Sequence, residues 1–265
     1  MSASIGKALA SLEQKLGVRL MHRTTRSISL TPEGEEFLTY ARSIIELADT
    51  ALGAISHSGS GVAGTLKVTC PHVFGRVVLM PILKALLRSN PALNVELLMT
   101  DSVMDIVEEG VDLAIRLAHP KDSGLVAKQL SANPRILCAA PDYIKEFGRP
   151  NVLADLQQHD CLTLTQAKHW PFHVGDSVQR LKVDGRLVCC SADGVRTACL
   201  QGLGIALMTK WDFAEEIASG EITVIELEDA VPQSLPIWAL WPSSKYQPQR
   251  VRALIEALQE RLSQQ

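Results

Sequence analysis

The stretch SASIGKALASLEQKLGVRLMHRTTRSISLTPEGE, residues 2–35, decides how this chain is read. Ile5, Leu9, Leu12 and Leu16 recur at helical spacing, Ser2 and Ser4 are candidate N-caps, and Gly17 stands where a helix would stop. That pattern predicts a helix over 2–16. Two short β-prone runs, 18–21 and 27–31, follow, joined by the polar turn His22-Arg23-Thr24-Thr25-Arg26, which predicts a hairpin or wing. Thr31-Pro32-Glu33-Gly34-Glu35 then supplies an N-cap, a proline at the first helical position and early acidic residues. The helix it opens is expected to run to about residue 55. Phe37, Tyr40 or Ala41, Ile44, Leu47 or Ala48, Ala51 and Ile55 form one apolar stripe along it. A stripe on so long a helix beside a polar linker is expected to pair with another helix, as in a coiled coil.

The helix over 2–16 opens on a small, polar turn, Ser2, Ala3, Ser4 and Lys7, able to enter a DNA major groove about 12 Å wide. The basic hairpin lies where it can touch phosphates. Residues 1–31 hold Lys7, Lys15, Arg19, Arg23 and Arg26 against Glu13 alone, a local charge of +4. The whole chain carries −3, which leaves −7 for the remainder. A basic head on an acidic body suits a polyanion at the head. A solvated basic tail has the same charge, so charge by itself does not choose.

SHSGSGVAG, residues 56–64, reads as a flexible linker, and after it the period changes. Strands are expected at 65–70, 94–99, 111–118, 161–165, 182–190, 204–209, 222–227 and 235–241, with two strand stretches within 125–141. Helices are expected at 74–88 (interrupted at Pro81), 102–109, 142–148, 193–202, 210–219 and 248–262. The β-α-β-α-β order calls for right-handed crossovers and a mainly parallel sheet. Two small α/β lobes joined by two crossing strands fit this count better than one wide sheet.

The chain has 265 residues, 46% of them apolar, enough for a sizeable core and too apolar for global disorder. No apolar run approaches the roughly 20 residues of a membrane-spanning helix, and the start carries no export signal. A cytoplasmic protein without a membrane partner is expected. Six cysteines, with no CxxC among them, are expected as free thiols in a reducing compartment. Gly202-Leu203-Gly204 leads from a helix into a strand, the reverse of a phosphate-cradling loop, and reads as a helix C-cap and turn. His169 and His173 flank Pro171, which argues against a helical metal site, and no G-x-S-x-G elbow exists. Cys189 and Cys190, adjacent in a strand reading, point to opposite faces and make a poor thiol switch. Trp170, Trp211, Trp238 and Trp241 read as core or lobe-interface residues. No cofactor, metal site or catalytic constellation emerges, so an enzyme is not expected.

The LE-x-x-LGVRL run from Leu12 to Leu20, the RTTR wing at 23–26 and the SLTPEG junction at 29–34 closely resemble LysR-type transcriptional regulators. In those proteins they are the recognition helix, the wing and the start of the linker helix. GTLKVTCPHVFGR, VEEGVDLAIRLA, QGLGIAL and VRALIEAL continue the resemblance through the body, in family order. The resemblance implies an α/β chain: a partial winged helix-turn-helix over 1–31, a linker and dimerisation helix over 32–57, and an effector-binding domain over 63–265. That domain is expected to be two-lobed, like a periplasmic binding protein, with lobe I over about 63–134 and 236–265 and lobe II over about 135–235. A complete DNA-binding module of this family has two further helices ahead of its recognition helix. The sequence is therefore expected to lack the N-terminal part of its winged helix-turn-helix and to bind DNA weakly as it stands.

Residue by residue, the resemblance implies DNA contacts from Ser2, Ser4, Lys7, Arg23, Thr24, Thr25 and Arg26. It implies an effector cleft at Thr69, Cys70, His72, Thr100, Asp101, Thr165, Asp193 and Gly194. The physics is compatible, because strand ends beside helix N-termini in open α/β sheets offer N–H donors. Thr69, Thr100 and Thr165 are hydroxyls suited to a carboxylate, whereas Asp101 or Asp193 favours an amine or hydroxyl. Each is equally readable as a loop or cap residue, Asp193 most readily. The implied partners are promoter DNA, a small-molecule effector, further copies of the chain as a dimer or tetramer, and RNA polymerase. The alternative is a small-molecule binding protein that has lost DNA binding through N-terminal truncation.

Overall fold

In the computed structural model, residues 3–23, 28–55, 62–102, 104–118, 124–165, 167–242 and 247–263 are described. The chain divides into two units, residues 1–60 with 244–249, and residues 61–243 with 250–265.

The first unit follows its sequence closely. Helix α1 (Ala3–Leu16) ends at Gly17, whose φ of +72° suits glycine and whose N–H reaches the Glu13 carbonyl at 2.9 Å. Strands β1 (Met21–Arg23) and β2 (Ile28–Leu30) pair antiparallel, with Met21 opposite Leu30. The first strand is thus displaced from the expected 18–21. The Glu13 carboxylate takes the N–H of Leu20 at 2.8 Å and of Met21 at 3.2 Å, tying the start of that run to α1. Helix α2 (Pro32–Ile55) is capped by Thr31, whose Oγ1 accepts the Gly34 N–H at 2.9 Å and donates to the Arg19 carbonyl at 2.7 Å. A Cβ at position 34 would lie 2.0 Å from the Leu20 carbonyl oxygen, so this close approach requires glycine. The expected turn at Thr24, Thr25 and Arg26, and Ser2, lie outside the described residues, as do 56–61 of the expected linker.

The second unit begins with β3 (Gly64–Cys70), then α3 (His72–Phe74), a π-helical turn over Gly75–Leu79 and α4 (Met80–Ser89). Pro81 sits at the start of α4, where a missing N–H costs least, and the interruption expected there takes the form of the wider turn before it. Strands β4 (Leu93–Met99), β5 (Leu113–Leu117) and β6 (Leu125–Ser131) follow. The helix expected at 102–109 is absent from its described residues: turns occupy 106–110. Asp105 competes locally, its carboxylate accepting the N–H groups of Val107 at 2.9 Å and Glu108 at 3.1 Å.

The chain then crosses into a second lobe. It contains β7 (Arg135–Ala139), α5 (Pro141–Phe147), a 3-10 turn over Leu153–Gln158, β8 (Cys161–Leu164), β9 (His169–Val174) and β10 (Ser177–Lys182). Next come β11 (Val188–Cys189), α6 (Ala192–Leu200), β12 (Ile205–Thr209), a 3-10 turn over Lys210–Phe213, α7 (Ala214–Ser219), β13 (Thr223–Ile225) and β14 (Val231–Pro232). The single strand expected at 182–190 is split. Lys182 ends β10, and Gly185 turns so closely against β8 that a Cβ there would lie 2.3 Å from the Cys161 carbonyl oxygen. The β9–β10 hairpin and β14 have no counterpart in the sequence reading.

The chain returns to the first lobe as β15 (Ile237–Pro242) and ends in α8 (Gln249–Ser263). The first sheet has the order β4-β3-β5-β15-β6 and the second β11-β8-β12-β7-β13, with a three-stranded sheet β10-β9-β14 beside it. In each five-stranded sheet four strands run in one direction, as the expected mainly parallel arrangement has it, and one crossing strand runs against them. β3 runs parallel to β4 and β5, but β15 is inserted antiparallel to β5 and β6, and β12 and β13 are antiparallel to β7. Return crossings dictate this, because a chain that leaves one lobe and re-enters it arrives from the opposite end. Leu66, Phe74, Leu113, Ile115, Leu254 and Leu258 form the buried centre of the first lobe. The second has two centres, one around Phe172, Leu156 and Ile205 and one around Phe213, Cys199 and Ala206.

Candidate functional site

Asn133 and its neighbours set where the two lobes face one another. Asn133 lies between β6 and β7, fully inside the protein, with φ at +50°, a conformation asparagine tolerates better than most residues. Its Nδ2 donates to the Leu235 carbonyl at 2.9 Å and its own carbonyl accepts the Leu235 N–H at 3.0 Å. The outgoing and returning segments are thereby laced together. Its Oδ1 accepts the Trp211 indole N–H at 2.8 Å, and Trp211 meets Phe74 of the first lobe edge-on, ring centres 5.8 Å apart.

A cavity of about 340 Å³ opens beside these contacts, lined by both lobes. The C-terminal ends of β3, β4 and β5 and the start of α6 border it, which is where open α/β sheets bind ligands. Its wall is largely apolar, with Phe74, Leu162, Trp170, Val195, Leu207 and Trp211 prominent, and it carries few polar groups. Thr100 and Asp101 line it from the first lobe. Asp101 Oδ1 accepts the His72 N–H at 3.2 Å, and Oδ2 accepts the Ala192 N–H of the second lobe at 3.3 Å.

The other expected effector residues sit behind or beside this wall. Thr69 is buried, its Oγ1 accepting from Arg116 Nη2 at 3.2 Å. Cys70 is buried, and burial pushes its thiol up to about 12. His72 contributes its backbone N–H to Asp101. Thr165 is exposed and donates to the Cys189 carbonyl at 3.1 Å. Asp193 is exposed and lies 3.5 Å from Arg76, while the Gly194 N–H goes to the capping Ser191 Oγ at 3.1 Å. Of the expected DNA-binding residues, Lys7 is exposed on α1, Ser4 lies in α1 and Arg23 ends β1.

Sequence reading missed the two most polar cations of the cavity. Arg116 interrupts the apolar strand VDLAIRLA, and Arg135 opens the apolar run RILCAA. Burial lowers the Arg116 guanidinium from its ordinary value and brings that of Arg135 down to about 10. A charge inside an otherwise apolar strand was the available signal. Asp212 also lines the cavity, and burial raises its carboxyl to about 6, against the opposing pull of hydrogen bonds from the Thr209 N–H and hydroxyl.

Comparison with known proteins places this geometry. The profile described as LysR substrate binding domain matches residues 59–263. The profile described as bacterial regulatory helix-turn-helix protein, lysR family, matches residues 2–35. The HTH-type transcriptional regulator DmlR of Escherichia coli K12 is 35% identical over 262 residues, covering 97% of this chain and 85% of that protein. The HTH-type transcriptional activator TtdR of the same strain is 30% identical, covering 97% and 83%. Among solved structures, CrgA, a LysR-type transcriptional regulator from Neisseria meningitidis, superposes with a TM-score of 0.70 at 26% identity, covering 98% of this chain and 89% of its own. The full-length Vibrio cholerae virulence activator AphB gives 0.65 at 26% identity, covering 97% and 88%.

Proposed function

Because the chain belongs to the LysR-type transcriptional regulators, we propose that its interlobe cavity is the effector site and that its lobes respond to the bound molecule. Regulators of this type bind DNA and small-molecule effectors and are oligomeric. The observation that carries the cavity assignment is its wall: both lobes contribute to it, through Thr100 and Asp101 on one side and Ala192 and Val195 on the other. A molecule touching both sides can favour one lobe arrangement, provided it binds that arrangement better.

In this reading residues 1–31 carry the DNA contacts, with Ser2, Ser4 and Lys7 toward base edges and Arg23, Thr24, Thr25 and Arg26 toward phosphates. Residues 32–57 are the dimerisation segment, and 63–265 the effector domain, divided near 134 and 236. Thr69, Cys70, His72, Thr165, Asp193 and Gly194 serve as the shell that holds the strand ends and helix starts around the cavity. Dimers or tetramers work in the cytoplasm, with RNA polymerase as the downstream partner. The function is regulatory rather than enzymatic.

Two measurements test the reading. Selection from a random DNA pool, with the two helices that precede the recognition helix in this family added ahead of residue 1, should enrich an inverted repeat, with affinity falling steeply as salt rises. A Val195→Trp variant, which fills the cavity, should abolish the thermal stabilisation given by any small molecule that alters DNA binding. Stabilisation that survives this substitution moves the effector site elsewhere.

A further inference from the structure

We infer that the cavity takes a small organic carboxylate, clasped between Arg116 of the first lobe and Arg135 of the second, an inference that rests on the cavity being the effector site. Both arginines line the same space. The Arg116 donors reach neutral oxygens, the Ile115 carbonyl at 2.9 Å and Thr69 Oγ1 at 3.2 Å. Arg135 uses its Nε on the Gln233 carbonyl at 2.7 Å, and its two Nη groups have no hydrogen-bond partner among the described residues. A guanidinium has five N–H donors, so most of the fork of each is unused.

The rest of the effector domain treats its inward-facing arginines differently. Arg196 is paired with Glu216, and Arg250 with Asp112 at 3.3 Å, all four side chains being largely covered. Among the described residues Arg116 and Arg135 have no ion pair with a carboxylate. A buried guanidinium is costly without a counter-charge; the Asp101 carboxylate acts on Arg116 only from beyond ion-pair distance, and burial of Arg135 is opposed by no carboxylate among the described residues, so the cavity is where a paired charge is missing. The two acids in the wall are already engaged. Asp101 accepts the N–H groups of His72 and Ala192, and Asp212 accepts from Thr209. Planar, forked donors match a carboxylate in two-point contact. The surrounding wall of Leu162, Trp170, Leu207 and Trp211 suits a carbon skeleton and makes a bare inorganic anion a poor occupant. One arginine from each lobe also gives the ligand a grip on both.

The test uses the full chain with acetate, succinate, glutarate, benzoate and salicylate, the amides of the same acids, and inorganic phosphate, read by thermal melting and titration calorimetry. At least one carboxylate should stabilise the protein while its amide and phosphate do not. Arg116→Gln and Arg135→Gln should each weaken that carboxylate about tenfold or more, the loss expected for one charge-assisted contact. Binding by none of the carboxylates, equal binding of acid and amide, equal stabilisation by phosphate, or undiminished affinity in both variants overturns the proposal. Val195→Trp separates the two levels. An amide that binds the wild type and is lost in Val195→Trp leaves the cavity as the effector site and removes the carboxylate. A carboxylate that still binds Val195→Trp removes the cavity itself.

Discussion

The carboxylate of Asp101, at the end of a first-lobe strand, accepts the backbone N–H of Ala192, the first residue of α6 in the second lobe, at 3.3 Å. Its other oxygen takes the His72 N–H at 3.2 Å, so one side chain satisfies orphan donors at two helix starts. Both contacts are long, and Asp101 is partly open to solvent, which limits their strength. Asp101→Ala should therefore loosen the lobes rather than unfold them. The expected loss is about 1–2 kcal/mol in chemical denaturation, with a larger radius of gyration in X-ray scattering. Asp101→Asn, which retains an acceptor, should fall between. An alanine variant with unchanged scattering and stability would show that this bridge does not hold the lobes together.

Asp212 makes the effector domain more stable in mild acid than at neutral pH. Burial raises its folded-state value from 3.8 to about 6, so the folded protein holds the proton more tightly than the unfolded chain does. Stability from this group is fully present below about 4 and is lost as pH rises through about 6; the difference is about 3 kcal/mol, good to roughly half of that. Both Thr209 donors go to the same oxygen, Oδ2, at 3.0 and 2.7 Å, a role an amide oxygen can take over. Asp212→Asn should therefore flatten the dependence between pH 5 and 7.5 and raise the urea midpoint at the upper end. A variant that keeps the wild-type slope assigns the dependence to other groups.

Asn133 is the most constrained residue of the crossing. Its amide serves Leu235 and Trp211, and its φ is +50°. Asn133→Ala leaves the Trp211 indole N–H without its acceptor and puts a Cβ-bearing side chain with no local hydrogen bond in the left-handed region. The expected cost is about 2–4 kcal/mol. Asn133→Gly should recover only the backbone share. Trp211 sits on this network, so a shift in tryptophan emission should accompany both variants. Equal stability of the alanine and glycine forms would assign the whole cost to the lost hydrogen bonds.

The contrast between Thr100 and Arg135 explains how much of this was legible. Strand ends and helix starts follow from local apolar pattern, so the reading found Thr100, Asp101 and the start of α6, together with α1, α2 and most strands. The family motifs add order to those elements. Arg135 acquires its setting from Gln233, 98 residues away, and Arg116 from Thr69, 47 residues away, and no local pattern encodes such pairings. The β9–β10 hairpin was hidden for another reason. Pro171 reads as a breaker, yet on the β14 side it is asked only for its carbonyl, which accepts the Gln233 N–H at 3.0 Å, so its missing N–H is not needed there. At 102–109 the period suggested a helix, and the Asp105 side chain supplied a competing local answer.

Helix α2 presents Tyr40, Ile44 and Ile45 with 62%, 64% and 62% of their surface exposed. Three large apolar side chains on one helix, two of them adjacent, exceed the scattered exposure normal for a soluble surface. Tyr40 and Ile44 are four residues apart and share a face, the geometry of a helix seam. A second copy of the same helix would cover such a seam with symmetric contacts, at a gain of about 25 cal/mol for each Å² of apolar surface removed from water. Ile44→Asp places a carboxylate in the middle of it. Analytical ultracentrifugation of the full chain should then show a lower mass than wild type at the same concentration. Circular dichroism should show unchanged helix content, because position 44 packs little against its own unit. Ile44→Val should retain the wild-type mass, separating loss of the apolar contact from any change in helix propensity. An aspartate variant of undiminished mass would place self-association outside α2.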